Sequence, residues 1–324
     1  MKKILLTILS IISVFILVAC SNTKETEMET MVESNDETMN ETMMETDNEK
    51  SEETNNETKM ESEAKYHNVI AGSTTVAEYL DALGVDIVGV SSQDNTPERY
   101  KDVTKVGAPR KLDYETIVSL NPDLFIGDKL LEDLSIENLK NQNIETIYLS
   151  NSNIDEIKEN VNTLSNLFGK QNKAKEIIAN IDKEVENAVS NAKNLEGKKV
   201  AILFGTGEKY MLATKSSFIG GLLEELKVDN IANYISKDPR PYVPFSLETV
   251  VEQNPDYILT LSHGHKEAMK QAFKEELAKD LWKSTNAVVE GRVYALDDKK
   301  FPVTGNIHIG EILMNLKDLL ENGE

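Results

Sequence analysis

Two histidines one residue apart, His263 and His265, are the side chains of this 324-residue chain best suited to hold a metal. A zinc site needs three or four ligands, and only His67 and His308 remain to complete one. The single cysteine, Cys20, excludes a disulfide framework and any cysteine-based zinc site. Read alone, His263 is either a surface-loop histidine or a ligand. Its place suits the second, because it follows the apolar run Tyr257–Leu261. Ligands of open α/β sheets gather beyond the carboxyl ends of strands. Two loops carry chemistry of a different kind. Gly107-Ala-Pro-Arg110-Lys111 and Asp238-Pro-Arg240-Pro-Tyr242-Val-Pro present cations, and the three prolines of the second make a stiff rim suited to a preformed cleft. Guanidinium groups bind carboxylates by paired, charge-assisted hydrogen bonds. Plain loop solubility is the competing reading of both.

Nothing reads as catalysis. Gly205-Thr-Gly-Glu-Lys209 lacks the Gly-x-x-x-x-Gly-Lys-Ser/Thr spacing of a phosphate loop. There is no Gly-x-Ser-x-Gly elbow and no His-Glu-x-x-His. The chain is expected not to be an enzyme. A net charge of −21 argues against nucleic acid or an anionic lipid surface as partner. Residues 21–64 carry −12 of that charge, and residues 65–324 carry −11.

The elements that must position these groups read as α/β. His67–Ala71, Asp86–Val90, Asp123–Gly127 and Glu145–Leu149 are predicted strands, with a helix over Thr75–Leu83. Lys199–Phe204, Tyr257–Leu261 and Arg292–Leu296 are the later strands. Short apolar runs alternating with amphipathic stretches argue for parallel strands with helical crossovers. Between the two sets, Ala174, Ile177, Ile178, Ile181, Val185, Ala188, Val189 and Ala192 keep a three-and-four spacing without Gly or Pro. That is one long amphipathic helix. The halves repeat each other. Leu112 to Gly127 aligns with Phe245 to Thr260 at a constant offset of 133, matching Glu115 with Glu248 and Asn121-Pro-Asp123 with Asn254-Pro-Asp256. Ser73–Val85 and Ser216–Val228 form a second matching pair. The fold class predicted is therefore two related α/β lobes with parallel-type sheets, joined by one bridging helix, with a ligand cleft between them.

The N-terminus reads as an export signal. Lys2 and Lys3 precede an apolar run ending at Ala19, too short for an ordinary spanning helix. Leu17-Val-Ala-Cys20 resembles a bacterial lipobox, which makes Cys20 the acylated (palmitate-bearing) mature N-terminus and a membrane anchor without a span. From Ser21 to Ala64 the chain is Glu, Thr, Asn, Ser and Met with no aromatics, a composition expected to stay disordered as a tether. The organisation expected is a signal peptide over 1–19, an acylated cysteine and acidic tether over 20–64, an N-terminal lobe over 65–169, a bridging helix over 170–195, and a C-terminal lobe over 196–324.

An exported lipoprotein with two lobes and one bridging helix resembles the helix-linked substrate-binding proteins of ABC importers, whose ligands include ferric siderophores, cobalamin and haem. In the C-terminal half, Tyr210 to Gly220, Leu261-Ser-His263-Gly264, Asp280-Leu-Trp282-Lys and Arg292-Val-Tyr-Ala-Leu resemble the haem-receptor lipoproteins of Gram-positive iron-regulated surface determinant systems. The resemblance implies haem as transported ligand, iron acquisition as the process, and His263 as an axial iron ligand. The family's second ligand, a methionine of the N-terminal lobe, aligns with Arg110, and the folded region holds only Met211, Met269 and Met314. Iron is then either five-coordinate or takes a sixth ligand such as Tyr242 or Met211 across the cleft. Arg110, Lys111 and Arg240 are expected at the ligand's acidic groups. A ferric siderophore or cobalamin is the alternative ligand, and a surface adhesin the third class. The resemblance further implies that Glu115 and Glu248 dock on arginines of an ABC permease coupled to its ATPase. It places a monomer on the extracellular face of the membrane of a Gram-positive cell. Binding is expected to move the lobes little, because a helix without Pro or Gly resists kinking.

Overall fold

The structure, a computed structural model, describes residues 64–206, 209–262 and 266–323, all within one compact unit. The signal peptide, Cys20 and the tether before Ala64 lie outside the described residues, as do His263 and His265.

Two sheets carry the fold. The first is built from β1 (Val69–Ala71), β2 (Gly89–Val90), β3 (Thr104–Lys105), β6 (Leu124–Asp128) and β7 (Glu145–Leu149), in the order β3-β2-β1-β6-β7 and wholly parallel. A separate hairpin joins β4 (Gly107–Ala108) to β5 (Lys111–Leu112). The second sheet contains β8 (Lys199–Thr206), β9 (Lys209–Ala213), β10 (Asp229–Asn230), β11 (Tyr242–Val243), β12 (Tyr257–Ser262) and β13 (Val293–Ala295). Its order is β11-β9-β8-β12-β13, with β10 also pairing β8. Here β10, β8, β12 and β13 are parallel, whereas β9 and β11 are antiparallel additions. The duplication read from the sequence is a duplication of topology: β2-β1-β6-β7 in one lobe and β10-β8-β12-β13 in the other.

Helices α1 (Thr74–Ala82), α2 (Tyr114–Ser119), α3 (Glu132–Lys140) and α4 (Ile154–Phe168) belong to the first half. The long helix is α5 (Gln171–Asn191). It is preceded by the unpredicted α4, which ends at Gly169 with φ of 66°. A left-handed residue there is a common helix stop. The second half adds α6 (Phe218–Glu225), α7 (Ala232–Ile235), α8 (Leu247–Glu252), α9 (Lys266–Leu277), α10 (Asn286–Val289) and α11 (Ile309–Asn322). Helix α5 packs against both α4 and α11, and Lys158 pairs with Asp182 at 2.8 Å across the first contact.

Strand alternation sorts the core into layers. Ile70 and Phe125 face an outer cluster of the first lobe with Val106, Ile117 and Leu139. Ala201, Leu203 and Ile258 face an outer cluster of the second lobe with Trp282. The intervening residues Val69, Ala71, Leu124 and Ile126, with Val200, Ile202, Phe204 and Leu259, share one cluster with α1, α4, α5, α6 and α11. The two lobes thus have a common core, which braces the long helix on both sides. A strap completes the brace: Gly305 donates its N–H to the Asn151 carbonyl at 2.9 Å. A Cβ at Gly305 would meet the Asn151 carbonyl oxygen at 2.9 Å as well as the ends of the Phe218 and Ile157 side chains at 2.6 and 2.7 Å, so a larger residue there would force its neighbours to shift. Among the described residues no helix is long and apolar enough to cross a membrane.

Candidate functional site

The repeat Asn-Pro-Asp explains itself in the structure. Asn121 and Asn254 stop α2 and α8 at φ of 47° and 48°, a conformation that asparagine tolerates better than most residues. The Asp123 carboxylate accepts the His67 and Asn68 N–H groups at 2.8 and 3.0 Å. The Asp256 carboxylate accepts the Lys199 N–H at 3.0 Å. Each aspartate therefore fixes the start of the neighbouring strand, β1 or β8. Beside β1 in the first sheet, β6 and β7 deliver their carboxyl ends to a cleft.

That cleft is a shallow, open one between the lobes. From the first lobe it takes Asp128, Lys129 and Leu130 at the end of β6, and Leu149 to Ser152 after β7. From the second it takes Ser216, Ser217 and Phe218 at the start of α6, Pro241 and Tyr242 at β11, and Val303 and Thr304 of the strap. Three of these have their partners fixed. Ser217 caps α6 by accepting the Gly220 N–H at 3.1 Å. Asn151 accepts from the Tyr79 hydroxyl at 2.8 Å. Lys129 pairs with Glu132. Leu130 is two-thirds exposed, 66%, at the lip.

Asp128 is the exception. Its Oδ1 is buried and has no hydrogen-bond partner. Burial pushes its carboxyl up to about 6, while a hydrogen bond with Ser73 pulls the other way. Removing a charge from water favours the neutral form.

The residues expected from sequence fall in different places. Tyr242 lines the cleft, half-buried, with its ring stacked on Phe204 at a centroid distance of 4.0 Å and an interplanar angle of 19°. Burial raises its hydroxyl far above the ordinary tyrosine range, which opposes a phenolate. Met211 pairs across from Phe204 and is half-buried against the common core. Both residues sit on the same sheet as β12, so neither reaches across the cleft as expected. The reason is that β9 and β11 are antiparallel extensions of the second lobe. Strand β12 is described to Ser262, opposite Gly205, and Leu261 lies opposite Phe204. His263 is the next residue and lies outside the described residues.

Arg110 is exposed at the two-residue tip of the β4–β5 hairpin, and Lys111 is exposed beside it. Neither is among the described residues lining the cleft. Arg240 is exposed but already held by Asp238: its Nε donates to both carboxylate oxygens, and a terminal nitrogen sits 2.6 Å from one of them. Glu115 and Glu248 lie in the first turns of α2 and α8, exposed at corresponding positions. Trp282 is fully buried in the outer core of the second lobe, so its fluorescence is a poor reporter of the cleft. The sequence reading missed Asp128 and the serines at the strand ends. A polar residue directly after a buried apolar strand was the available signal.

The model of the periplasmic binding protein family matches residues 69–300. The chain belongs to that family. The haem uptake protein IsdE of Staphylococcus aureus is 31% identical over 253 residues, covering 76% of this chain and 85% of IsdE. The structure of IsdE complexed with haem superposes with a TM-score of 0.73 at 27% identity, covering 79% of this chain and 99% of that one. An ABC transporter substrate-binding protein from Listeria monocytogenes gives the same TM-score and identity, covering 80% and 100%. The petrobactin-binding protein YclQ of Bacillus subtilis, at 23% identity and a TM-score of 0.66, covers 80% and 94% and shares the fold. The two-lobe fold with parallel central sheets and the bridging helix is that of this family, and the chain is a substrate-binding component of an ABC importer.

Proposed function

We propose that the chain captures haem outside the cell and hands it to an ABC permease and its ATPase, with haem seated between the lobes and His263 as the axial iron ligand. The observation that carries this reading is the likeness to IsdE, at 31% identity over 76% of the chain. The cleft is compatible with it. An apolar side chain at the lip (Leu130) and a stacked aromatic pair (Tyr242 on Phe204) suit a flat macrocycle, and β12 leads directly to His263. Iron is then five-coordinate, or takes its second ligand from a residue not in the first lobe's hairpin, since Arg110 has no lone pair to give. Arg110 and Lys111 serve acidic groups of the ligand. Ferric siderophores are the second reading, favoured by an exposed Arg110 with no ion pair among the described residues and by the fold shared with YclQ.

The test is a haemin titration of the protein and of His263→Ala. A Soret band that shifts or vanishes in the variant is expected. An unchanged spectrum overturns His263. Absence of any band, with siderophore binding by calorimetry, moves the assignment to the second reading.

Glu115 and Glu248 are proposed to deliver the protein to the permease. Each is the exposed first-turn carboxylate of a short helix, outside the described cleft lining. The lipid anchor at Cys20, the tether, the lobe boundaries and a monomeric state complete the proposal. The common core and the two helices braced on α5 support lobes that move little on binding.

A further inference from the structure

The cleft contains a feature that recognition of an apolar iron complex alone leaves unused. Asp128 closes β6 at the cleft floor, and its Oδ1 is buried without a hydrogen-bond partner. Every residue around it is neutral or already answered. Ser150 donates to Glu156, Asn151 to the Leu149 carbonyl and Ser217 to the Thr214 carbonyl, and the cation of the described lining, Lys129, is committed to Glu132. A buried carboxyl oxygen without a donor carries an unsatisfied polar cost. A ligand that brings a proton to it relieves that cost.

We propose that Asp128 determines ligand choice by holding a carboxyl group of the ligand through one proton shared between the two carboxyl groups. This rests on the haem reading, since haem carries two propionic acid arms and no other hydrogen-bond donor. The pair has a net charge of −1, so above the pH at which Asp128 ionises one proton is taken up from solvent for each ligand bound. The tendency of this carboxyl to stay neutral up to about pH 6 reduces the work of that uptake at neutral pH.

The charged and titratable groups facing Asp128 do not supply the proton instead. Ser73, the cap of α1, bonds it, while Glu78 on α1 and Glu156 on α4 act, as Asp128 does, on the shared neighbour Tyr79. Glu78 is itself raised by burial, against the opposing influence of His308 and a hydrogen bond with Asn306. Across the cleft stands Tyr242, whose hydroxyl stays protonated.

The experiment is calorimetric titration of the full chain with haemin at pH 7 in two buffers of different ionisation enthalpy, repeated with Asp128→Asn. The wild type is expected to take up close to one proton per haemin. Asp128→Asn, which donates an amide N–H at every pH, is expected to take up none from this site. Its affinity relative to wild type should rise about tenfold from pH 6.5 to 7.5. Infrared difference spectra of the wild type provide a reading that needs no variant: haemin binding at pH 7 should produce the carbonyl stretch of a protonated carboxyl. Equal proton uptake in wild type and Asp128→Asn, or no protonated carboxyl in the wild type, overturns the inference alone. Failure of haemin to bind either protein overturns the haem reading and this inference with it.

Discussion

The two lobes are built on one plan and differ where the plan meets the ligand. In both, an asparagine in the left-handed region ends a short helix and an aspartate two residues later fixes the start of a parallel strand. In both, a serine caps the lobe's first sheet-packed helix, α1 or α6: Ser73 accepts the Val76 N–H and Ser217 the Gly220 N–H. The loops before the repeat diverge. The first lobe offers Arg110 with no ion pair among the described residues, on a hairpin of its own. The second turns the same region into β11, pairs it with β9, and neutralises Arg240 with Asp238. Backbone-anchoring residues have been kept by geometry, while side chains at the strand ends were free to specialise. One lobe presents charge, and the other an aromatic and apolar wall.

Phe204 tests the wall. It stacks on Tyr242, lies in the core common to both lobes and is 5% exposed. Phe204→Ala should lose about 3 to 5 kcal/mol in urea unfolding. Because the core is common, the loss should appear as one cooperative transition. Two separate transitions would show that the lobes are independent units and would break the comparison at its root.

Asp128 in the first lobe has no counterpart in the second, where no described cleft residue holds a buried side-chain oxygen or nitrogen without a hydrogen-bond partner. Its carboxyl is raised from 3.8 to about 6, so the fold favours the neutral form. The resulting penalty is fully present above pH 6 and disappears as pH falls toward 3.8. Asp128→Asn should therefore be more stable than wild type at pH 7, by about 2 kcal/mol after allowance for the open cleft, and equal to it near pH 4. Equal stability of the two proteins at pH 7 would show that the carboxylate is solvated rather than buried.

Asp123→Ala and Asp256→Ala sharpen the kept half of the comparison. Each removes the acceptor for strand-start N–H groups, at a cost of about 1 to 3 kcal/mol. The two losses should agree within about 1 kcal/mol. A loss confined to Asp256→Ala would mean that its neighbour Arg292, 3.8 Å away, matters more than the strand contact.

The repeat, the strands and the long helix were legible because they are written in periodic apolar residues. Glu145–Leu149 was read to the residue, and β8 and β12 to within two. Strands β9 and β11 were not, since two- to five-residue antiparallel additions among prolines carry little periodicity. Helix α4 was missed although its buried stripe, Ile154, Ile157, Val161, Leu164 and Phe168, keeps helical spacing; the stronger run after it drew the reading. Among the residues proposed from sequence, Tyr242, singled out by its stiff loop, lines the cleft. Asp128 was passed over because a strand-end acid usually faces water, and only tertiary packing buries this one.

The smallest expected effect separates the two arginines. An exposed guanidinium without a partner gains from an anionic ligand at no competing loss, whereas one held by two carboxylate oxygens must first give them up. Asp238 is itself held below the usual carboxylate range by Arg240, so the pair resists separation. Arg110→Ala should weaken binding of a carboxylate-bearing ligand about fivefold at low salt, the scale of one exposed ion pair, and less as salt rises. Arg240→Ala should change it less than about twofold, because the ligand never had that charge to itself. Competitive titrations of both variants at two salt concentrations measure the difference. If Arg240→Ala proves the more damaging, the second lobe carries the anion contact, Asp238 acts as a latch that ligand opens, and the division of labour between the lobes runs the other way.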